Sequence, residues 1–166
     1  MKKINKLSII SIIIIILDQA SKILISNLLD LHESINIICN IFKITYTKNF
    51  GAAWSIMWNQ RLFLIIITIL ALIFIIYLIH KEKRLNNLKN IYYGFLIGGI
   101  VGNFIDRILH GYVIDFLDFN IFGYNFPIFN FSDIFIVLGV LLILIENFVG
   151  GEKNEWIYRN RWRKRS

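Results

Sequence analysis

The stretch GNFIDRILHGYVIDF, residues 102–116, sets Asn103, Asp106, Arg107 and Asp115 inside a chain made mostly of Ile, Leu, Phe and Val. Charged and amide side chains are costly wherever water is scarce, so a cluster of them needs partners or a purpose. Two further polar clusters stand out: DQASK, with Asp18 and Lys22, and FNFSD, with Asn130 and Asp133. Asp115 lies between Ile114 and Phe116, which predicts partial desolvation and a raised pKa if its segment folds back on the rest of the chain. If Asp115 meets Asp133, the two carboxylates share one proton instead of both ionising. One can then act as general base on a water while its protonated partner polarises a carbonyl.

Other chemistries fit less well. No HExxH occurs and His32, His80 and His110 are scattered, so neither a metal nor another cofactor is expected. No Ser sits in GxSxG, and Cys39, the sole cysteine, has no nearby base and no disulfide partner; it reads as a small buried residue. Water activation by a pair of Asp residues is the most complete chemistry these side chains permit, and it is the division of labour that aspartic proteases use.

The elements that bring such residues together must be membrane helices. Of the 166 residues 57% are hydrophobic and one is Pro, too apolar for an ordinary soluble domain. Crossing a hydrocarbon core of about 30 Å takes roughly 20 apolar residues at about 1.5 Å of rise each. Four segments qualify, at about 7–28, 62–80, 91–109 and 130–149. The fold class expected is therefore an all-α membrane protein with four transmembrane helices, in a single domain over residues 1–166. The N-terminus imitates a signal peptide, but no small-x-small cleavage site follows, so it reads as a retained first span.

A net charge of +7 would permit nucleic-acid binding, yet 6 of the 18 Lys and Arg fall between Lys153 and Arg165. A basic tail over 150–166, next to an apolar span, reads as an anchor to anionic lipid; nucleic acid is not expected as a partner. No Lys or Arg lies between residues 110 and 129, while Lys81, Lys83, Arg84 and Lys89 crowd the second connection. The positive-inside rule then puts both termini and the 81–90 loop in the cytoplasm. On the outer side, INIICNIFKITYTK (35–48) is β-branched and aromatic and predicts a strand pair resting on the membrane surface. GAAWSIMW (51–58) suits an interfacial half-helix, completing a small extracytoplasmic β cap over about 30–60.

This topology gathers DQASK, GNFIDR and FNFSD into one layer near the outer interface. Each also has a purely structural reading. Asp18 and Lys22, at i and i+4, form a self-neutralising pair, which does not conflict with a site role. Gly98, Gly99 and Gly102 let another helix approach closely. Asn103 shares a helical face with Arg107 and Asp106; Arg107 taken alone would snorkel to the interface, but an amide one turn deeper requires partners. Asn130 with Asp133 three residues on is a helix N-cap pattern.

The motifs DQASK, NFGAAWS, GGIVGNFIDR, YVIDF and FNFSD occur in the order and approximate spacing of the lipoprotein signal peptidases (signal peptidase II, the A8 family of aspartic peptidases), which the chain resembles over about residues 16–147. The resemblance implies a multi-pass peptidase of the bacterial plasma (inner) membrane, acting near the extracytoplasmic face. It would remove the signal peptide of prolipoproteins, cutting before the cysteine that bears a diacylglyceryl group. Asp115 and Asp133 take the places of the family's catalytic aspartates. Asp18, Lys22, Asn49, Asn103, Asp106, Arg107 and Asn130 match its other polar positions, and Gly51 and Trp54 fall in its substrate-gripping segment. The partners implied are diacylglyceryl-modified prolipoproteins and the phospholipid bilayer; a monomer is expected. Ser21, Ser132 and Trp54 depart from the family's usual Thr, Ala and Phe; Trp54 would alter the grip on lipid or substrate. Two rival classes remain at this level. A proton-coupled carrier predicts charge near the bilayer midplane, and a structural assembly subunit leaves Asp115 and Asp133 without a task.

Overall fold

Isoleucine- and leucine-rich runs become helices here because a chain out of reach of water must satisfy its backbone polar groups internally. The computed structural model describes residues 6–39, 41–51, 60–82 and 85–163, with side chains described as far as Phe148. Among the described residues four helices form: α1 (Lys6–Leu28), α2 (Arg61–Lys81), α3 (Asn87–Leu109) and α4 (Phe131–Arg163). Their starts and ends follow the four expected segments at most termini. Two boundaries move outward. α3 begins at Asn87 because the Asn86 side chain caps it, accepting from the Lys89 backbone N–H at 2.7 Å. α4 continues to Arg163, so most of the basic tail extends a helix.

Three of the helices, α1, α2 and the Phe131–Phe148 part of α4, are long and apolar enough to cross a membrane. α3 has the length of α1, 23 residues, but a different composition and position. It lies between α1 and α4 and buries Tyr92, Leu96, Asn103 and Asp106 among others, whereas α2 buries Leu64 and Ile75. A helix enclosed by others can carry polar groups that an outer helix cannot.

Small residues set how closely α3 is enclosed. A Cβ on Gly98 would lie 2.8 Å from the Ile14 Cβ of α1. On Gly102 it would lie 2.7 Å from an Asp18 carboxylate oxygen and would also overlap the Ser132 hydroxyl. Gly102→Ala should therefore push α1 and α4 away from α3 and lower stability by about 1–3 kcal/mol, the usual cost of overpacking. Thermal unfolding in detergent measures this. An unchanged Tm would show that the contact relaxes freely.

Outside the helices, the described residues include one antiparallel sheet in the order β1 (Ser34–Ile38), β2 (Phe42–Asn49), β3 (Val113–Ile121), β4 (Tyr124–Asn125). The expected strand pair is present. The sheet is not confined to the first connection, however: β3 and β4 come from the third, which had no predicted structure. Asp115 consequently sits on a strand that enters the middle of the sheet, with Thr47 opposite it. Ile114, Phe116 and Leu117 of β3 pack with Ile25 of α1, Leu29 just beyond it and Tyr46 of β2, joining sheet to helices. Gly111, at φ 83°, makes the turn from α3 into β3. Cys39 is exposed in the β1–β2 turn, contrary to its reading as a buried residue, because that turn projects from the end of the sheet. Of the half-helix expected over 51–58, only Gly51 is among the described residues; the rest, including Trp54, lies outside them.

Candidate active site

Five elements, α1, β2, α3, β3 and α4, converge where β3 leaves α3 and α4 begins. The first turn of α4 forms as its sequence predicts: the Asn130 side chain accepts from the Asp133 N–H at 3.0 Å, and an Asp133 oxygen accepts from the Asn130 N–H at 3.1 Å. This reciprocal cap satisfies the orphan donors of a helix start and aims both side chains back toward α3. The capping and site readings of this pair are thus compatible.

Amides then hold the two carboxylates. The Asn130 Nδ2 donates to Asp115 Oδ1 at 2.6 Å and to Asn103 Oδ1 at 3.1 Å. The Asn103 Nδ2 donates to Asp133 Oδ1 at 2.8 Å. On the opposite side of Asp115, the Asn49 Nδ2 donates to Oδ2 at 2.9 Å while its own carbonyl oxygen accepts from the Gly51 N–H at 2.9 Å. Asp115 is buried, and burial first, then the nearby Asp133 charge, pushes its carboxyl up to about 7 despite the opposing amide hydrogen bonds. That is the shift the Ile114 and Phe116 flanks predict.

A second layer fixes Asn103. Lys22 and Asp18 are almost wholly inaccessible, at 1% and 0% exposure, as is Asp106 at 1%. The Lys22 ammonium lies 2.7 Å from Asp18 and 3.1 Å from Asp106 and donates to Asn103 Oδ1 at 2.9 Å, using its three N–H donors. Because Asn103 Oδ1 receives Lys22 and Asn130 together, its Nδ2 must face Asp133. The acids are anchored in turn: Asp18 accepts from the Ser132 N–H at 2.9 Å and Asp106 from the Ile114 N–H at 3.0 Å. Each acid therefore ties the buried cation to the element that carries one of the paired carboxylates. Asp18 reaches α4 beside Asp133, and Asp106 reaches β3 beside Asp115.

Arg107 is placed differently from the snorkelling expected of it alone. Its guanidinium donates to the Gly51 carbonyl at 3.3 Å and to the Asn103 carbonyl at 3.5 Å, so it ties the start of the 51–58 segment to α3. Of the residues singled out in the sequence, Asp18, Lys22, Asn49, Gly51, Asn103, Asp106, Arg107, Asp115, Asn130 and Asp133 all join one network. Two residues that no sequence motif singled out also take part. Gln19 donates to Asp18, Asp106 and the Gly102 carbonyl, bridging α1 and α3, and its position beside Asp18 was the available signal. Arg61 donates to the Arg107 and Ile108 carbonyls at 2.9 and 2.8 Å, capping the C-terminus of α3; no local pattern shows that α2 begins beside that helix end.

Helices of membrane-spanning length and composition, closed around a buried network of carboxylates, amides and cations, make this an integral membrane protein built around a site. A family model described as signal peptidase (SPase) II matches residues 10–149. A lipoprotein signal peptidase of Staphylococcus aureus (strain JH9) is 42% identical over 136 residues, which is 82% of this chain and 83% of that one. Two solved bacterial membrane enzymes, determined by the in meso method, share the fold. The one at 2.3 Å resolution has a TM-score of 0.85 at 38% identity, covering 91% of this chain and 92% of its own. The other, at 1.9 Å, has a TM-score of 0.78 at 40% identity, covering 86% and 92%. The chain belongs to the signal peptidase II family and is a membrane peptidase.

Proposed function

We propose that this chain is an aspartic endopeptidase that removes signal peptides from bacterial prolipoproteins, cutting before the diacylglyceryl-modified cysteine. The observation that carries the proposal is the arrangement of Asp115 and Asp133: they come from different elements and are joined through the side chains of Asn130 and Asn103. Family membership supplies the substrate class. In this reading the whole chain is one peptidase domain with four spans, α3 being the fourth, and both termini lie in the cytoplasm. The site then opens near the extracytoplasmic face of the inner membrane. There the end of an inserted signal peptide is within reach while the diacylglyceryl chains stay in lipid. Gly51 and Trp54 belong to the segment that grips the substrate. The enzyme works as a monomer and needs no cofactor.

The chemistry follows from a single shared proton. Asp115, whose carboxyl titrates at about 7, holds it, and Asp133 is the base. Asp133 takes a proton from water as the water oxygen bonds to the scissile carbonyl carbon, and Asp115 gives its proton to the carbonyl oxygen. In the collapse Asp133 returns its proton to the amide nitrogen as the C–N bond breaks, and Asp115 recovers one from the geminal hydroxyl. Both carboxyls end as they began. Asn130, Asn103 and Asn49 keep the reacting oxygens in place throughout, and small misplacements there are costly to rate.

A pH dependence follows. The competent form has Asp115 protonated, so kcat/KM on a diacylglyceryl-modified prolipoprotein should decline once pH passes about 7, approaching about tenfold per pH unit. A rate that climbs steadily through this range would assign the proton wrongly and remove Asp115 as the acid.

A further inference from the structure

The far end of the sheet, away from the site, is apolar and exposed in a way the reaction does not explain. Phe42 pairs with Phe119, and the Asn120 N–H donates to the Ile41 carbonyl at 2.8 Å, so the β1–β2 and β3–β4 turns lie side by side. Their tips expose Ile37, Ile38 and Ile41 from one turn and Phe122, Tyr124 and Phe126 from the other. No charged residue occurs in 34–42 or in 119–132. Beneath the tips, Phe42, Phe119 and Phe129 stack at centroid spacings of 4.5 and 5.7 Å, which fixes the two turns to each other.

The β3–β4 turn is unusual for a tip that faces water. Ile121 pairs with Tyr124, leaving Phe122 and Gly123 as a two-residue loop with φ of 53° and 83°. Such a turn favours Asn-Gly or Gly-Gly, and Phe is strained at a positive φ. The chain nevertheless keeps there an apolar side chain that touches nothing, with Phe122 fully exposed. β1, whose five residues are all exposed, adds an unprotected apolar edge of a kind that water-soluble sheets avoid.

Apolar exposure is also a property of the helix end beside the sheet: Leu24 and Leu28 of α1 are exposed, as is Leu31 just beyond it. Aliphatic and aromatic side chains with a Tyr among them, and no charge, are the composition that settles at the boundary between headgroups and acyl chains. We propose that the two turns seat together in the interfacial zone of the phospholipid bilayer, so that the sheet is held at the membrane surface at its far end as well as by the helices. β3 runs about 20 Å from Asp115 to Ile121 at about 3.3 Å per residue, and lipid at one end with the buried network at the other would fix that strand at both ends.

Cys39, in the β1–β2 tip, is a ready attachment point for an environment-sensitive fluorophore. A Cys39→Ser, Phe122→Cys protein reports the other tip, and Cys39→Ser, Glu33→Cys serves as a solvent-facing control. In phosphatidylcholine vesicles both tip probes should emit to the blue of the control. Phosphatidylcholine carrying a nitroxide near its headgroup should quench them several-fold more than aqueous iodide does. The values should not change as the protein is diluted into more lipid. Phe122→Asp, at a position without contacts to lose, should sharply reduce lipid quenching of the Cys39 probe. Quenching by iodide and not by lipid would overturn the proposal, as would shielding that disappears on dilution, which would mean a second copy covers the tips. A Cys39 signal indifferent to Phe122→Asp would show that the turns do not seat as a unit. None of these readings depends on proteolysis, so they stand apart from the assignment of the reaction.

Discussion

Replacing either Asp115 or Asp133 with Asn should lower kcat by on the order of a thousandfold or more, with little change in how much protein inserts. The size of the effect follows from the number of steps each group serves. In the proposed cycle Asp133 deprotonates the water and later protonates the leaving nitrogen, and Asp115 protonates and then releases the carbonyl oxygen, so losing one carboxyl interrupts both halves. The two substitutions together should cost little more than either alone, because groups that act as a unit are strongly non-additive. Asn at 133 can still accept from Asn103, and Asn at 115 can still accept from Asn130 or Asn49, so the fold should survive. Steady-state kinetics of the purified variants in vesicles, normalised to folded protein, measure the loss. Independent, additive losses of a few fold would mean that the pair positions substrate and transfers no protons.

Lys22→Met should be the most destabilising single change in the helical part of the chain. It removes the only cation within salt-bridge distance of Asp18 and Asp106 among the described residues, leaving two carboxylates buried at 0% and 1% exposure. Breaking a buried ion pair from one side costs about 3–5 kcal/mol. For a chain of this size that corresponds to a fall in Tm on the order of 10 °C. The ammonium also sets which way Asn103 faces, so activity should fall by more than the lost stability explains. Adding Asp106→Asn to Lys22→Met removes one stranded charge and should recover part of the Tm, giving a coupling energy in a double-mutant cycle. Additive losses would show that Lys22 contributes its packed stem and not its charge.

The sequence made much of this site legible because its residues obey local rules that survive folding. Asp18 and Lys22 are one helical turn apart and do pair; Asn130 and Asp133 do form a helix cap; Gly98 and Gly102 do mark close helix approaches. What stayed hidden depends on contacts between distant segments. The YVIDFLDFN run lacks the alternation of a half-buried strand because Val113 to Leu117 are buried on both faces, with β2 beside them and α1 and α4 packed against them. Its pairing with β2 joins residues about 70 positions apart, as between Thr47 and Asp115, and no local pattern encodes that. Cys39 misled for a related reason: a small thiol is usually buried, but here it rides on a turn that projects from the sheet. Gln19 and Arg61 matter through helix neighbours that are fixed only when α1, α2 and α3 assemble.

The most direct test of the reaction is mass spectrometry of the products that the purified protein releases in phospholipid vesicles from one prolipoprotein, supplied with and without its diacylglyceryl group. The account predicts a single cut in the modified substrate, immediately before the lipid-bearing cysteine, and little or no cleavage of the unmodified one. Equal cleavage of both forms, or a cut at another bond, would contradict it.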